Sequence, residues 1–186
     1  GNKLSEVREA VRVYFYTEGL VMASVKDEKT GRTLYGYLDD KGKWAIKPQF
    51  ESVGAFSEGR AAVARTNEEK NRMEHGYIDK SGALVIPYQF AYARHFEKNG
   101  KAVVSINGDN GWVDGVIDRD GHYLITPQFG SLMPDGDELT CSFSGTELYG
   151  RCDQDGKVIV NPQFKNLTLV RLCQSICRWD SHRASG

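Results

Sequence analysis

The residues with the chemistry to bind an ion gather at one recurring turn. Asp118-Arg119-Asp120-Gly121 and Asp153-Gln154-Asp155-Gly156 each set two carboxylates two residues apart before a glycine, as a calcium loop begins. The remaining ligands of such a loop, including its closing glutamate, are missing, so no metal is expected. The same turn returns as Asp39-Asp40-Lys41-Gly42 and Asp79-Lys80-Ser81-Gly82 with its middle positions free. An aspartate in first place accepts a backbone N–H two residues on, and a glycine in last place supplies positive φ. The carboxylates therefore read as hairpin-turn chemistry.

Other reactive groups are scattered. Cys141, Cys152, Cys173 and Cys177 match no CxxC zinc or redox spacing, and Cys152 falls where other copies of the pattern carry Leu38, Ile78 and Ile117, the place of a small apolar core residue. His75, His95, His122 and His182 occupy four different places relative to the pattern. Glu18, Glu58, Glu97 and Asp135 recur loosely and read as solvated loop acids rather than a general acid and base. Nucleophile elbows, phosphate-cradling glycine loops and HExxH are absent from the sequence. No catalytic residue and no cofactor is expected.

The element that positions these turns is a stretch running from Tyr35 to Phe50, which returns from His75 to Phe90, Asp114 to Phe129 and Tyr149 to Phe164. In each copy two glycines stand six apart and a Gln-Phe pair closes the unit eight residues after the second. First glycines fall 40, 39 and 35 residues apart, in the range of propeller blades and solenoid units. Each period reads as three strands: a β-branched run such as Ala61 to Ala64, the Gly-Tyr-Ile-Asp segment, and an apolar triplet such as Trp44-Ala45-Ile46 or Leu84-Val85-Ile86. The triplet is expected to be covered on both faces, with Trp44, Leu84, Tyr123 and Val158 as a core column. Proline then ends the pairing, and the glutamine that recurs in all four copies is expected to satisfy backbone groups of a neighbouring turn.

These periods place four repeats near residues 15–50, 56–90, 96–129 and 133–164 of a repeat domain spanning 15–172. Residues 1–14 form a lead-in, read as a short amphipathic helix or as a strand through Val11 to Phe15. The run Leu167 to Leu172 would start a fifth period or pair with the N-terminal strand, and residues 173–186 form a polar tail.

With 186 residues the chain can bury roughly 70% of its unfolded surface, so neither disulfides nor metal are needed for a core. Its 24 basic and 25 acidic residues are interspersed and leave a net charge of −1, which gives no field to hold a polyanion and excludes nucleic acid as an expected partner. No apolar run reaches the 18 residues of a membrane span, so membrane insertion is not expected. The first residues lack a signal-peptide pattern, and the compartment stays open.

The pattern Gly-Tyr-Ile-Asp-x-x-Gly-x-x-x-Ile-x-Pro-x-Phe followed by Phe-Ser-Glu-Gly-x-Ala-x-Val resembles the WG repeat family of bacterial tandem β repeats, over about residues 15–164. The tryptophan that names the family is replaced here by Tyr35, His75, Asp114 and Tyr149, while Trp112 stands two residues ahead of Asp114. The resemblance implies a non-catalytic binding or scaffolding module without catalytic residues to carry over. The expected fold is all-β, built of tandem three-stranded β-meander repeats in a twisted solenoid or propeller-like array. The expected function is recognition of a protein or peptide through the segments that repeat least. Tyr88 and Tyr92, with Glu68 and Arg72 of the charged insertion between Thr66 and Glu74, are the binding residues it points to. Two alternatives are an immunity-type protein that neutralises a partner toxin and a cell-envelope module that binds glycans.

Overall fold

The computed structural model describes residues 12–165 together with Thr168. Among the described residues the strands form four antiparallel sheets of four strands each. The first holds β1 (Arg12–Thr17), β2 (Leu20–Lys26), β3 (Thr33–Leu38) and β4 (Trp44–Phe50) in that order. The second holds β5 (Ser52–Val53), β6 (Ala61–Asn67), β7 (Arg72–Ile78) and β8 (Leu84–Phe90). The third is β9 (Tyr92–Ala93), β10 (Ala102–Gly108), β11 (Gly111–Ile117) and β12 (Tyr123–Phe129). In the fourth stand β13 (Ser131–Asp135), β14 (Glu138–Ser142), β15 (Tyr149–Cys152) and β16 (Val158–Phe164). The chain falls into two compact units, Gly1–Val104 with Ile117–His122 and Ser105–Val116 with Tyr123–Gly186.

The expected three strands are present, and a fourth precedes them in each sheet. In the second and third sheets that extra strand is two residues long, too short for any alternation to register in the sequence. Arg12–Thr17 is a strand, while the helical alternative for the lead-in lies mostly outside the described residues. Cys173, Cys177, the polar tail and, apart from Thr168, the run from Leu167 to Leu172 lie outside them too.

Two glycines per repeat set the backbone, for different reasons. The first lies under a bulge. Tyr35 is opposite Phe50 but Tyr37 is opposite Ile46, so β4 carries extra residues around Pro48 that press onto Gly36. A Cβ on Gly76 would sit 2.6 Å from the Ile86 carbonyl oxygen, and one on Gly115 2.6 Å from that of Ile125; Gly36 and Gly150 meet Ile46 and Val160 in the same way. All four sheets therefore share one register at this point. The second glycine closes the hairpin turn with φ between 73° and 87° at Gly42, Gly82, Gly121 and Gly156. Asp39, Asp79, Asp118 and Asp153 each accept two backbone N–H groups of that turn through Oδ1.

Those turns also carry repeat-to-repeat packing. In the first unit Gly82 abuts Ile46 and Gly121 abuts Ile86; in the second, Gly156 abuts Ile125. Each turn thus seats on the buried isoleucine of the preceding sheet. Leu20, Tyr37, Ile46 and Phe50 of the first sheet join Phe56, Ala61, Val63 and Ile78 of the second in one apolar cluster. The Tyr37 hydroxyl donates to Gly54 O at 2.7 Å, and Tyr77 repeats the bond to Arg94 O at 2.7 Å.

Three expectations need correcting. Proline does not end the pairing: β4, β8, β12 and β16 bulge at it and run on, so that Phe50, Phe90 and Phe164 pair with Tyr35, His75 and Tyr149. The column Trp44, Leu84, Tyr123 and Val158 is not core: Leu84 and Tyr123 are exposed and the other two half-buried. Strands β4, β8, β12 and β16 are sheet edges, and in the first three only the third residue of the triplet, Ile46, Ile86 or Ile125, is buried. The recurrent glutamines, Gln49, Gln89, Gln128 and Gln163, are all exposed, and their side chains make no hydrogen bond among the described residues. They do not tie off neighbouring turns, because they point away from the bulge whose proline and phenylalanine lie on the inner side.

Candidate functional site

Three of the four residues that the sequence pointed to, Tyr88, Glu68 and Arg72, lie on the second sheet and its β6–β7 hairpin, and Tyr92 stands on the third sheet against His75 of the second. Tyr88 takes the place that Pro48, Pro127 and Pro162 hold elsewhere, because in this repeat the proline has moved back to Pro87. Its ring is half-buried on the inner side of β8 against the apolar cluster, and the Arg65 guanidinium lies 4.4 Å above the ring centroid. Burial raises the Tyr88 hydroxyl above its ordinary range, partly offset by Arg65. Tyr92 opens the short strand β9, is exposed, and meets His75 edge-on with ring centroids 5.4 Å apart. Burial holds His75 below its ordinary range, so its imidazole is neutral at pH 7.

Glu68 and Arg72 sit at the tip of the β6–β7 hairpin, where the Asn71 N–H donates to Glu68 O at 3.3 Å. Asn71 takes φ 46°, which closes the turn. The hairpin is braced from within by Glu74, a carboxylate that the sequence reading passed over. It is buried and accepts from Asn67 Nδ2 at 3.0 Å and Lys70 Nζ at 2.8 Å, with Arg72 Nη2 3.7 Å away. Those bonds, Asn67 first and Lys70 next, hold the Glu74 carboxyl below its ordinary range. Arg72 is therefore part of a bracing cluster, while Glu68 stands exposed beside it.

Arg65, His75 and Glu74 had signals too weak to read in advance. Each lies just beyond an apolar run, and nothing local distinguishes a ring-stacking arginine or a bracing glutamate from a solvated one. Glu18, exposed, and Glu58, half-buried, are loop acids as expected, and both are also ion-paired to the next repeat. Both take positive φ in their turns, at 50° and 55°. Glu18 Oε2 accepts from Gly59 N at 3.1 Å and pairs with Lys80 Nζ at 3.1 Å, and Glu58 pairs with Arg119 one repeat further on. Burial alone would raise Glu18, but the bonds from Lys80 and the Gly59 N–H outweigh it and hold the carboxyl low.

In the second unit, Arg151 is buried at the position of Tyr37 and Tyr77. Its Nε pairs with Glu138 Oε2, and its Nη1 lies 3.7 Å from Asp135 Oδ2, so a buried cation is met by two half-buried carboxylates. Cys141 and Cys152 are both buried free thiols on adjacent strands. Cys152 is pushed up by its bond to Cys141, by burial and by the nearby carboxylates of Asp153 and Glu138. Cys141 is drawn down by the same bond to Cys152, against its burial, so only Cys152 is the opposite of a low-pKa nucleophile.

Asp118, Asp120 and His122 bring three ligand-type atoms within 4.8 Å of one another at one exposed turn. Asp118 Oδ1 already accepts the N–H groups of Asp120 and His122 at 2.9 Å each, and Oδ2 lies 3.3 Å from His122 Nδ1. The grouping is the turn's own hydrogen bonding. Among the described residues no helix is long and apolar enough to cross a membrane.

A family model described as a WG containing repeat matches residues 35–67 and again residues 76–108. No curated protein matches the chain. Each matched segment begins on the third strand of one sheet and ends on the second strand of the next, so the sequence repeat and the sheet are out of phase by two strands.

Proposed function

From the premise that the chain carries WG containing repeats, we propose that it is a non-catalytic module that recognises a protein or peptide through the surface of its second sheet and the adjoining Tyr92 of β9. One observation carries this reading: the exposed aromatic and charged groups there are held by partners rather than left loose. Arg65 lies on Tyr88, Tyr92 on His75, and Lys70 and Arg72 on Glu74. Aromatic and arginine side chains dominate the energetics of protein interfaces. Holding them in place before association removes part of the ordering cost that binding otherwise carries.

The remaining chemistry is consumed internally. Turn aspartates cap backbone N–H groups, Glu18 and Glu58 join adjacent repeats, and the described cysteines are buried. A scaffold of repeats with one distinctive sheet suits recognition better than turnover.

Affinity capture tests it. Wild-type chain and the variants Tyr92→Ala, Tyr88→Ala and Arg72→Glu are compared for the proteins they retain, with Trp112→Ala, exposed on the third sheet, as control. The reading expects a retained partner that is lost at least tenfold with the first three variants and kept by the control. Equal capture by all variants with unchanged melting temperatures would remove the Tyr88, Arg72 and Tyr92 surface from the interface.

A further inference from the structure

Arg65 and Tyr88 both depart from the repeat, and they meet. Counting two residues on from the one opposite the first glycine gives Val25 on β2, Arg65 on β6 and Phe143 just past β14. On β10 the fifth residue, which takes the place of Arg65 on β6, is Ile106. The place of Tyr88 belongs to Pro48, Pro127 and Pro162 in the other sheets. The second sheet thus sets a cation where the others carry an apolar side chain, and an aromatic ring where they carry proline. The two departures form one stack, with Arg65 Cζ 4.4 Å from the Tyr88 ring centroid.

An aromatic ring supports a guanidinium but leaves its in-plane fork of N–H donors unfilled. Arg65 is exposed, and among the described residues no carboxylate pairs with it, whereas Arg32, Arg72, Arg119 and Arg151 each meet one. Glu74 stands directly opposite Arg65 on the β6–β7 ladder. Its carboxylate is already committed: Oε2 accepts from Asn67 and Oε1 from Lys70, with Arg72 beside them. A guanidinium held by a ring loses little freedom when its fork closes on a planar anion. The size of that anion's charge follows from its surroundings. The β6–β7 hairpin carries Arg65, Lys70 and Arg72 against Glu68, Glu69 and Glu74 and has no net charge, so it matches a single negative charge and offers no field for a phosphate dianion.

We infer that Arg65, supported by Tyr88, anchors a carboxylate of the bound partner, an aspartate or glutamate side chain on a peptide segment. This rests on recognition by the second-sheet surface and narrows the partner to an acidic segment.

Selection of a displayed library of random linear peptides on the full wild-type chain tests it. Arg65→Leu, which returns the position to the apolar type found in the other sheets, is selected in parallel. Peptides enriched on the wild type are expected to share one aspartate or glutamate, and replacing that acid by its amide should weaken binding about tenfold or more. The same replacement should change binding to Arg65→Leu by less than about twofold. Arg65→Gln takes its place if the leucine variant melts at a lower temperature than wild type. Enriched peptides with no shared acid, or an acid whose replacement costs Arg65→Leu as much as wild type, would overturn the carboxylate anchor and leave recognition by this surface standing. Tighter binding with phosphoserine in place of the acid would overturn it as well. Enrichment of no peptide at all would also overturn it, and affinity capture then decides the recognition reading on its own.

Discussion

Tyr37 and Phe56 belong to different sheets, yet their rings meet edge-on at 4.8 Å while the Tyr37 hydroxyl reaches past to Gly54 O at 2.7 Å. The same pairing recurs one repeat on as Tyr77 with Phe96 and Arg94 O. Removing the hydroxyl leaves a carbonyl in the joint without its donor, so Tyr77→Phe is expected to cost about 1–3 kcal/mol. Phe96→Ala, which empties the ring's place, should cost about 3–5 kcal/mol. Urea unfolding monitored by tryptophan fluorescence measures both, and the order of the two costs is the critical readout.

The two glycine columns should respond differently to alanine. Gly76→Ala and Gly115→Ala drive a methyl group into strand backbone that cannot swing aside, at a cost of about 3 kcal/mol. Gly59→Ala, at φ 74° with open space around it, should lose only roughly 1–2 kcal/mol to backbone strain. Equal losses at Gly76 and Gly59 would mean that the bulge around Pro87 does not press on β7.

Glu74 gives the β6–β7 hairpin a pH dependence of known sign. Its carboxyl is held below the ordinary 4.5, so the folded state binds its proton less readily than the unfolded chain. The stabilisation is present above the unfolded value and disappears as pH falls through the lower folded value. Glu74→Gln should therefore be less stable than wild type by on the order of 1 kcal/mol near neutral pH, and the gap should shrink in acid. Melting temperatures of the pair at pH 7 and pH 3 decide this; a gap that widens in acid contradicts the assignment.

Thiol labelling follows from burial. Cys141 and Cys152 should react with maleimide far more slowly in the folded protein than in denaturant, with Cys152 the slower because its thiol is pushed up. Peptide mapping after timed labelling reports each position separately. Rapid modification of Cys152 in the native state would show that β14 and β15 open readily.

What could be read in advance was local. Asp and Gly at fixed offsets specify a turn through hydrogen bonds spanning four residues, and the six-residue glycine spacing carries that turn from copy to copy. Cys152 was placed in the core by its column alone, and it is fully buried. Features that depend on the next repeat were not readable. Trp44 and Leu84 are apolar, but whether a neighbouring sheet covers them is decided across the fold, and their strands turn out to be edges. Glu18 resembles any loop acid until Lys80, sixty-two residues away, is brought to its carboxylate. Tyr88 stands out in the sequence because it takes the place of a proline, whereas the contacts of Arg65, His75 and Glu74 depend on the register of β6 against β7.

The two-strand offset between the sequence repeat and the sheet bears on how such a gene changes length. A duplication or deletion of one whole period that begins inside a sheet, as the matched segments do, cuts two sheets and rejoins their halves, so each interior strand again finds a neighbour of the matching kind. Recombination need not respect any structural border. Repeat number can drift while each intermediate gene still encodes a foldable chain, and selection then acts on the few positions, such as Tyr88, where one copy has departed from the others.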